Sequence, residues 1–247
     1  MIDQETLTKL RAMRLSGMAE CFDSLAVNSD QARLSTPEIV RLAIDWEWER
    51  RQNSKLSRLR KRAHLAQPNA DIADVQTLPG RRLDNEMISR LAIGTYLVKH
   101  QDIILQGPTG VGKTYIACAL ANKACQQYHS VRYLSAAELF DELATGERSG
   151  RKTAILDSLV RVDLLVIDDW FLTAPSQEQA RNLHVLVDRR HKQTSTIYCT
   201  QLGTAQWHER FQEKILADAV IDRITTNAHT IHLEADDSLR RHYNQID

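Results

Sequence analysis

Residues 107–114 read Gly107-Pro108-Thr109-Gly110-Val111-Gly112-Lys113-Thr114, or GPTGVGKT. A nucleoside triphosphate carries several negative charges. The G-x-x-x-x-G-K-T spacing meets them with backbone N–H groups that only a glycine-rich turn can aim inward. Gly107, Gly110 and Gly112 supply that freedom, Lys113 brings an ammonium to the terminal phosphates, and Thr114 offers a hydroxyl to Mg2+. Upstream, Ile103-Ile104-Leu105 reads as a buried strand. Downstream, TYIACALANKAC (114–125) is rich in helix formers. A chance glycine turn would lack this order of strand, loop and helix, so the stretch predicts a P-loop that binds ATP with Mg2+.

Leu164-Leu165-Val166-Ile167-Asp168-Asp169 is an apolar run closing on two carboxylates. The acids should emerge at the C-terminal edge of a strand, where open α/β sheets bind ligands. Asp168 is the expected Mg2+ residue and Asp169 the expected base that polarises the attacking water. An acidic pair capping the next helix is the plainer alternative. About 50 residues lie between Thr114 and Leu164, room for a further strand between the phosphate-loop strand and the acidic one. That spacing favours a motor or switch ATPase over a small-molecule kinase. With Val131–Leu134, Thr196–Cys199 and Thr230–Leu233 the chain alternates strands and helices, which predicts an α/β fold with a five-stranded parallel sheet.

Before this core, Leu7, Leu10, Met18, Cys21, Phe22 and Leu25 recur at helical spacing, as one helix or as two interrupted near Ser16-Gly17. Ser35-Thr36-Pro37-Glu38 supplies a cap, a first-turn proline and a capping-box acid for a further helix running into the basic stretch 50–62. Residues 66–82 lose periodicity and contain Pro68 and Pro79-Gly80. The expected organisation is a small all-α domain over 1–66, a linker over 67–82 and the ATPase domain over 83–247.

Lys plus Arg and Asp plus Glu both number 32, so any nucleic-acid contact must come from local patches. Cys21, Cys118, Cys125 and Cys199 stand singly, without metal-ligand spacing, and read as reduced core residues. Neither a leader-like run nor a membrane-spanning stretch is present, which suggests a cytoplasmic protein without a membrane partner.

GPTGVGKTYIACALA, DLLVIDDW, STIYCTQLGTAQWHERF and AVIDRITTNAHTIHL together resemble successive segments of the IstB/DnaC branch of AAA+ ATPases. LRAMRLSGMAECFDSLA and the tail SLRRHY are similar to the IstB side of that branch. The resemblance implies an AAA+ core and an ATPase that multimerises on duplex DNA. It further implies selection or remodelling of target DNA and regulation of an IstA-like DDE transposase. Carried across residue by residue, it puts the γ-phosphate sensor at Gln201, with Thr200 as second choice. It makes Arg223 the arginine that reaches a neighbouring subunit's nucleotide, so that hydrolysis depends on assembly. The same residue could instead pair with Asp218 or Asp222 on its own helix. Arg240 matches a family arginine of the tail. Phe171 stands where many relatives have glycine, and Asp236-Asp237 replace a glycine-containing turn. The alternative within the branch is a DnaC-like replicative helicase loader.

Two patches are candidates for DNA. Arg50, Arg51, Lys55, Arg58, Arg60, Lys61 and Arg62 concentrate charge on one expected helix, though Glu47 and Glu49 could pair with some of them. Gly146 to Lys152 forms a basic stretch between the second strand and the acidic strand, read as a flexible loop or a plain connector. Neither patch has base-reading logic, so backbone or shape recognition is expected. Trp46 and Trp48, two apart, cannot share one helical face.

Overall fold

The structure, a computed structural model, describes residues 3–27, 34–77, 81–82 and 84–235. It divides into two compact units, Met1–Arg58 and Leu59–Asp247, with the division falling inside the third helix.

In the first unit the N-terminal run forms two helices, α1 (Gln4–Ala12) and α2 (Ser16–Val27). Arg14, with φ of 61°, makes the turn between them. Asp3 caps α1 by accepting the Thr6 N–H at 2.6 Å. Leu7, Leu10 and Ala19 form the small core, with Leu15, Met18 and Phe22 packed against it. The next helix, α3 (Thr36–Ala63), begins as its capping residues predict: the Glu38 carboxylate accepts the Ser35 N–H at 2.7 Å and the Ser35 hydroxyl at 2.6 Å.

Gly17 sets the approach of α2 to α3. A Cβ there would lie 2.7 Å from Glu47 Cα and 2.8 Å from the Trp46 carbonyl, both backbone atoms that cannot swing aside. The Gly17 N–H donates to Glu47 Oε2 at 2.7 Å, and Arg51 Nε donates to Glu47 Oε1 at 2.6 Å. Burial pushes the Glu47 carboxyl up, but hydrogen bonds from Arg51, Gly17 and Met18 outweigh it and hold the group below its usual range. Gly17→Ala is expected to cost about 1–3 kcal/mol through overpacking. Urea denaturation followed by circular dichroism would read this as a lower midpoint for the helical unit, and an unchanged midpoint would show that the helices part freely. Arg50 pairs with Glu20, so Arg50 and Arg51 are engaged within this unit. Trp46 is 38% exposed and Trp48 64%.

The second unit opens with α4 (Ile72–Thr77), β1 (Arg81–Arg82), α5 (Asn85–Ala92) and α6 (Thr95–Val98). There follow β2 (Asp102–Gln106), α7 (Lys113–Gln126), β3 (Val131–Ser135), α8 (Ala136–Arg148), α9 (Lys152–Arg161) and β4 (Leu164–Trp170). It continues through α10 (Gln177–Arg190), β5 (Ser195–Thr200), α11 (Thr204–Arg210), α12 (Lys214–Thr225), β6 (Ala228–His232) and β7 (Glu234–Ala235). The expected five strands form one parallel sheet in the order β3-β4-β5-β2-β6, so β5 is the strand between the phosphate loop's strand and the acidic one. A two-stranded antiparallel pair, β1 with β7, was not anticipated.

Strand alternation divides the core. Ile104, Leu165, Ile167 and Tyr198 join a cluster with residues of α8, α9, α10 and α12, including Leu139, Leu159, Leu183 and Val220. The intervening Ile103, Leu105, Val166 and Ile197, all 0% exposed, face the other side, where α7 packs across the sheet. Part of the stretch expected as a linker is packed here too: the Asn122 amide donates to the carbonyls of Pro68 and Ala70 at 2.8 and 2.9 Å, and the Tyr115 hydroxyl donates to Asp74 at 2.8 Å. The stretch Gly146 to Lys152 is a tight helix-to-helix turn rather than a flexible loop, because Gly146 lets α9 approach: a Cβ there would lie 2.6 Å from Ile155 Cδ1 and 3.1 Å from Lys152 Cα. All four cysteines are free and buried. Among the described residues no helix is long and apolar enough to cross a membrane.

Candidate active site

The phosphate loop leaves the C-terminal edge of the sheet. Its base is tied on both sides, by the Gly107 N–H to the Thr200 carbonyl at 3.1 Å and by the Leu233 N–H to the Gln106 carbonyl at 2.7 Å. A Cβ on Gly107 would lie 2.5 Å from the Leu233 carbonyl oxygen, so only glycine fits. Gly110 and Gly112 adopt φ of 82° and 93°, the left-handed region that turns the backbone N–H groups of the loop inward. Lys113 opens α7, and its Nζ donates to the Gly107 and Pro108 carbonyls at 2.8 Å each, holding the ammonium across the loop. Pro108, Thr109 and Val111 complete the turn, with Val111 buried beneath it.

On β4 the acids do not follow the strand end; the strand runs on to Trp170 and bulges at the acidic pair. Ile167 pairs with Tyr198 and Trp170 with Thr200, so Asp168 and Asp169 together oppose Cys199 alone. Asp169 takes φ of 53°. The bulge separates the two carboxylates. Asp168 is 5% exposed and turned to the loop, and Asp169 points to solvent. Asp168 Oδ2 accepts the Thr114 hydroxyl at 2.6 Å, and its Oδ1 accepts the Asp169 N–H at 2.8 Å. Next along, Phe171 has φ of 57°, a conformation natural to glycine. Phe171 bears it because its ring is buried against Trp170, Trp207 and Phe211, with centroids 4.5–5.5 Å apart.

Sequence reasoning missed one side chain in the site. The half-buried Tyr133 on β3 donates its hydroxyl to Asp168 Oδ2 at 2.8 Å. Burial, reinforced by the charge of Asp168, pushes the phenol well above its usual range, so it remains a donor. No spacing motif marks this tyrosine, and in VRYLS (131–135) it shares the strand with the polar Arg132 and Ser135.

Thr200 is buried, and its hydroxyl accepts the Leu202 N–H at 3.1 Å, which commits it to the turn after β5. Gln201 is the exposed polar side chain there, one residue beyond the strand that pairs with the loop's base. Arg223 lies elsewhere. It sits near the end of α12, just before β6 begins, and β6 runs parallel to β2. It is therefore at the N-terminal edge of the sheet, roughly 15 Å from the loop edge at about 3.3 Å per strand residue. Its Nε donates to Asp188 on α10 at 2.8 Å and its guanidinium also donates to the Ala219 carbonyl at 2.8 Å, rather than to Asp218 or Asp222. Arg240, Asp236 and Asp237 lie outside the described residues.

The donor set fits Mg-nucleotide. Thr114 and Asp168 offer two hard oxygens at one spot, and no group of three or more His, Cys, Asp or Glu that could hold a metal occurs among the described residues. Such a pair suits a cation that keeps waters and takes its other oxygens from phosphate.

A sequence model of the IstB-like ATP binding protein family matches residues 8–245. The chain belongs to this family. An insertion sequence ATP-binding protein of Sinorhizobium fredii is 39% identical to this IstB-like chain over 98% of both. The IS1162 ATP-binding protein of Pseudomonas fluorescens is 37% identical over 83% of this chain and 89% of its own. Among solved structures, DnaI superposes with a TM-score of 0.57 at 24% identity, covering 67% of this chain and 92% of its own. AMPPCP-bound DnaA from Aquifex aeolicus gives 0.59 at 18% identity over 72% and 53%. These structures share the AAA+ fold. The IstB-like chain is thus an ATP-binding AAA+ protein of the IstB ATPase family.

Proposed function

We propose that this IstB-like ATPase multimerises on duplex DNA and hydrolyses ATP at the junctions between subunits, thereby selecting target DNA for, and regulating, an IstA-like transposase. The observation that carries the proposal is the division of the site. Lys113, Thr114, Asp168 and Asp169 gather at one edge of the sheet, while Arg223 sits at the other. An arginine there cannot reach its own nucleotide, but a neighbouring copy can present one.

The chain's own groups divide the work. The loop N–H groups and Lys113 bind the phosphates. When bound, Mg2+ supplies positive charge at the phosphate oxygens, and Thr114 and Asp168 are the side chains that would hold it. Asp169, exposed on the bulge, accepts a proton from the attacking water, and Gln201 hydrogen-bonds near the terminal phosphate. The partner's arginine then offsets the charge that develops on the transferring group.

For DNA, Arg50 and Arg51 are engaged in ion pairs, and Arg58, Arg60, Lys61 and Arg62 are the exposed arginines and lysine farther along α3. At the α8–α9 turn Lys152 pairs with Glu147 and Glu178, leaving the exposed Arg148 and Arg151 as the candidates. A few phosphate contacts of this kind make binding salt-dependent and indifferent to base sequence. The transposition reading is supported by relatives that are themselves insertion sequence proteins and align over nearly the whole chain. The DnaC helicase loader matches 67% of the chain at 19% identity, a likeness of fold.

Light scattering with duplex DNA tests the switch. Assembly is expected with ATP for the parent chain, and neither without ATP nor with Lys113→Ala. Equal assembly without nucleotide would overturn it.

A further inference from the structure

We infer that Tyr133 is a positioning residue for the metal-binding half of the site: its hydroxyl, delivered from the neighbouring strand, fixes the carboxylate of Asp168 for a divalent cation. The inference rests on the proposed roles of Thr114 and Asp168 in holding Mg2+.

Asp168 is a carboxylate almost removed from water, and such a group must find its donors in the protein. Its Oδ1 is held by the N–H of Asp169, at the bulge itself. Its Oδ2 receives two hydroxyls, from Thr114 at 2.6 Å and Tyr133 at 2.8 Å. These two donors differ in what else they can do. Thr114 lies in the first turn of α7 directly behind the phosphate loop, and its oxygen has lone pairs to give a cation while its O–H still donates to Asp168. Tyr133 stands on β3 opposite Val166 of β4, with Leu134 opposite Ile167. Its hydroxyl reaches the carboxylate from the sheet and not from the nucleotide loop, so the loop can adjust to phosphate while the acid stays put.

The bulge makes such a brace necessary. Opposite Asp168 and Asp169 the ladder to β5 is interrupted, and the backbone carrying the carboxylate lacks regular pairing on that side. On the β3 side the register continues unbroken to Ser135 opposite Asp168. Tyr133 therefore anchors Asp168 to the side of the strand that is still regularly paired. Groups that orient a metal ligand through a hydrogen bond typically change metal affinity by about ten- to a hundredfold when removed.

The test is Tyr133→Phe in the full chain, which removes only the hydroxyl. ATP binding is measured by calorimetry in EDTA and across an Mg2+ titration, beside Asp168→Asn. The expected result is a half-saturating Mg2+ concentration raised about tenfold or more, with ATP affinity in EDTA unchanged. A Mg2+ half-saturation equal to the parent's would overturn the inference, as would an equal loss of affinity in EDTA, which would mark a merely structural role. If Asp168→Asn raises the Mg2+ requirement and Tyr133→Phe does not, only the brace fails. If neither variant changes it, the reading of Asp168 as the metal residue fails as well.

Discussion

Arg223→Ala is expected to leave ATP binding largely intact while lowering hydrolysis in the assembled state by about a thousandfold or more. Arg223 has no route to its own phosphate loop, since it lies before β6 at the opposite edge of the sheet. In the single chain its guanidinium rests on Asp188 and on the Ala219 carbonyl, partly exposed contacts that a neighbour's triphosphate can outcompete. The decisive measurement is a mixture. Arg223→Ala keeps a working phosphate site, and an Asp169→Asn chain lacks the base but still binds ATP and keeps a working arginine, so combining two inactive proteins should restore a fraction of the activity. Full activity of Arg223→Ala alone would remove the arginine from catalysis, and failure of the mixture would remove the junction between subunits.

The second large effect belongs to Lys113→Ala. Its ammonium is the one side-chain cation built into the loop, bound to the Gly107 and Pro108 carbonyls and 8% exposed. ATP affinity should fall by about a hundredfold, roughly 2.8 kcal/mol, and hydrolysis with it. The helix itself should survive, because alanine is a strong helix former at the start of α7. A thermal melt separates these effects: the parent gains midpoint with added ATP and the variant does not. An equal gain in both would show that the lysine contributes nothing to binding.

Local constraints were legible in the sequence, and long-range ones were not. The phosphate loop could be read because its conformation is written within eight residues: glycines where φ is positive, then a lysine where the helix begins. The five strands could be read as apolar runs, since a sheet covered on both faces needs no alternation. The room between Thr114 and Leu164 predicted a further strand between β2 and β4, but that stretch supplies β3, which pairs at the outer side of β4, and the strand that separates β2 from β4 is β5, from later in the chain. The bulge was hidden, because nothing in LLVIDDW marks Asp169 for the left-handed region; the pairing of Trp170 with Thr200 reveals it. Tyr133 was hidden for the same reason, as its partner is 35 residues away on another strand. The packing of Pro68 and Ala70 on Asn122 depends on a contact across more than 50 residues, where aperiodic sequence reads only as linker. Phe171 is the converse case. Its departure from glycine was visible, and the aromatic cluster that tolerates it was not.

The strand order has a consequence for how the protein is made. β2 is the first strand of the parallel sheet to leave the ribosome, yet its neighbours are β5 and β6, the last two. While β3 and β4 can pair as soon as both are synthesised, Ile103-Ile104-Leu105 must wait for Ile197 and His229 before either edge is covered. Until β5 and β6 follow, the nascent chain therefore carries an unpaired apolar strand, the kind of segment that invites aggregation. ATP offers no help in that interval. The loop's base is closed by Thr200 and Leu233, so the nucleotide gains a site to stabilise only after Leu233 has been synthesised.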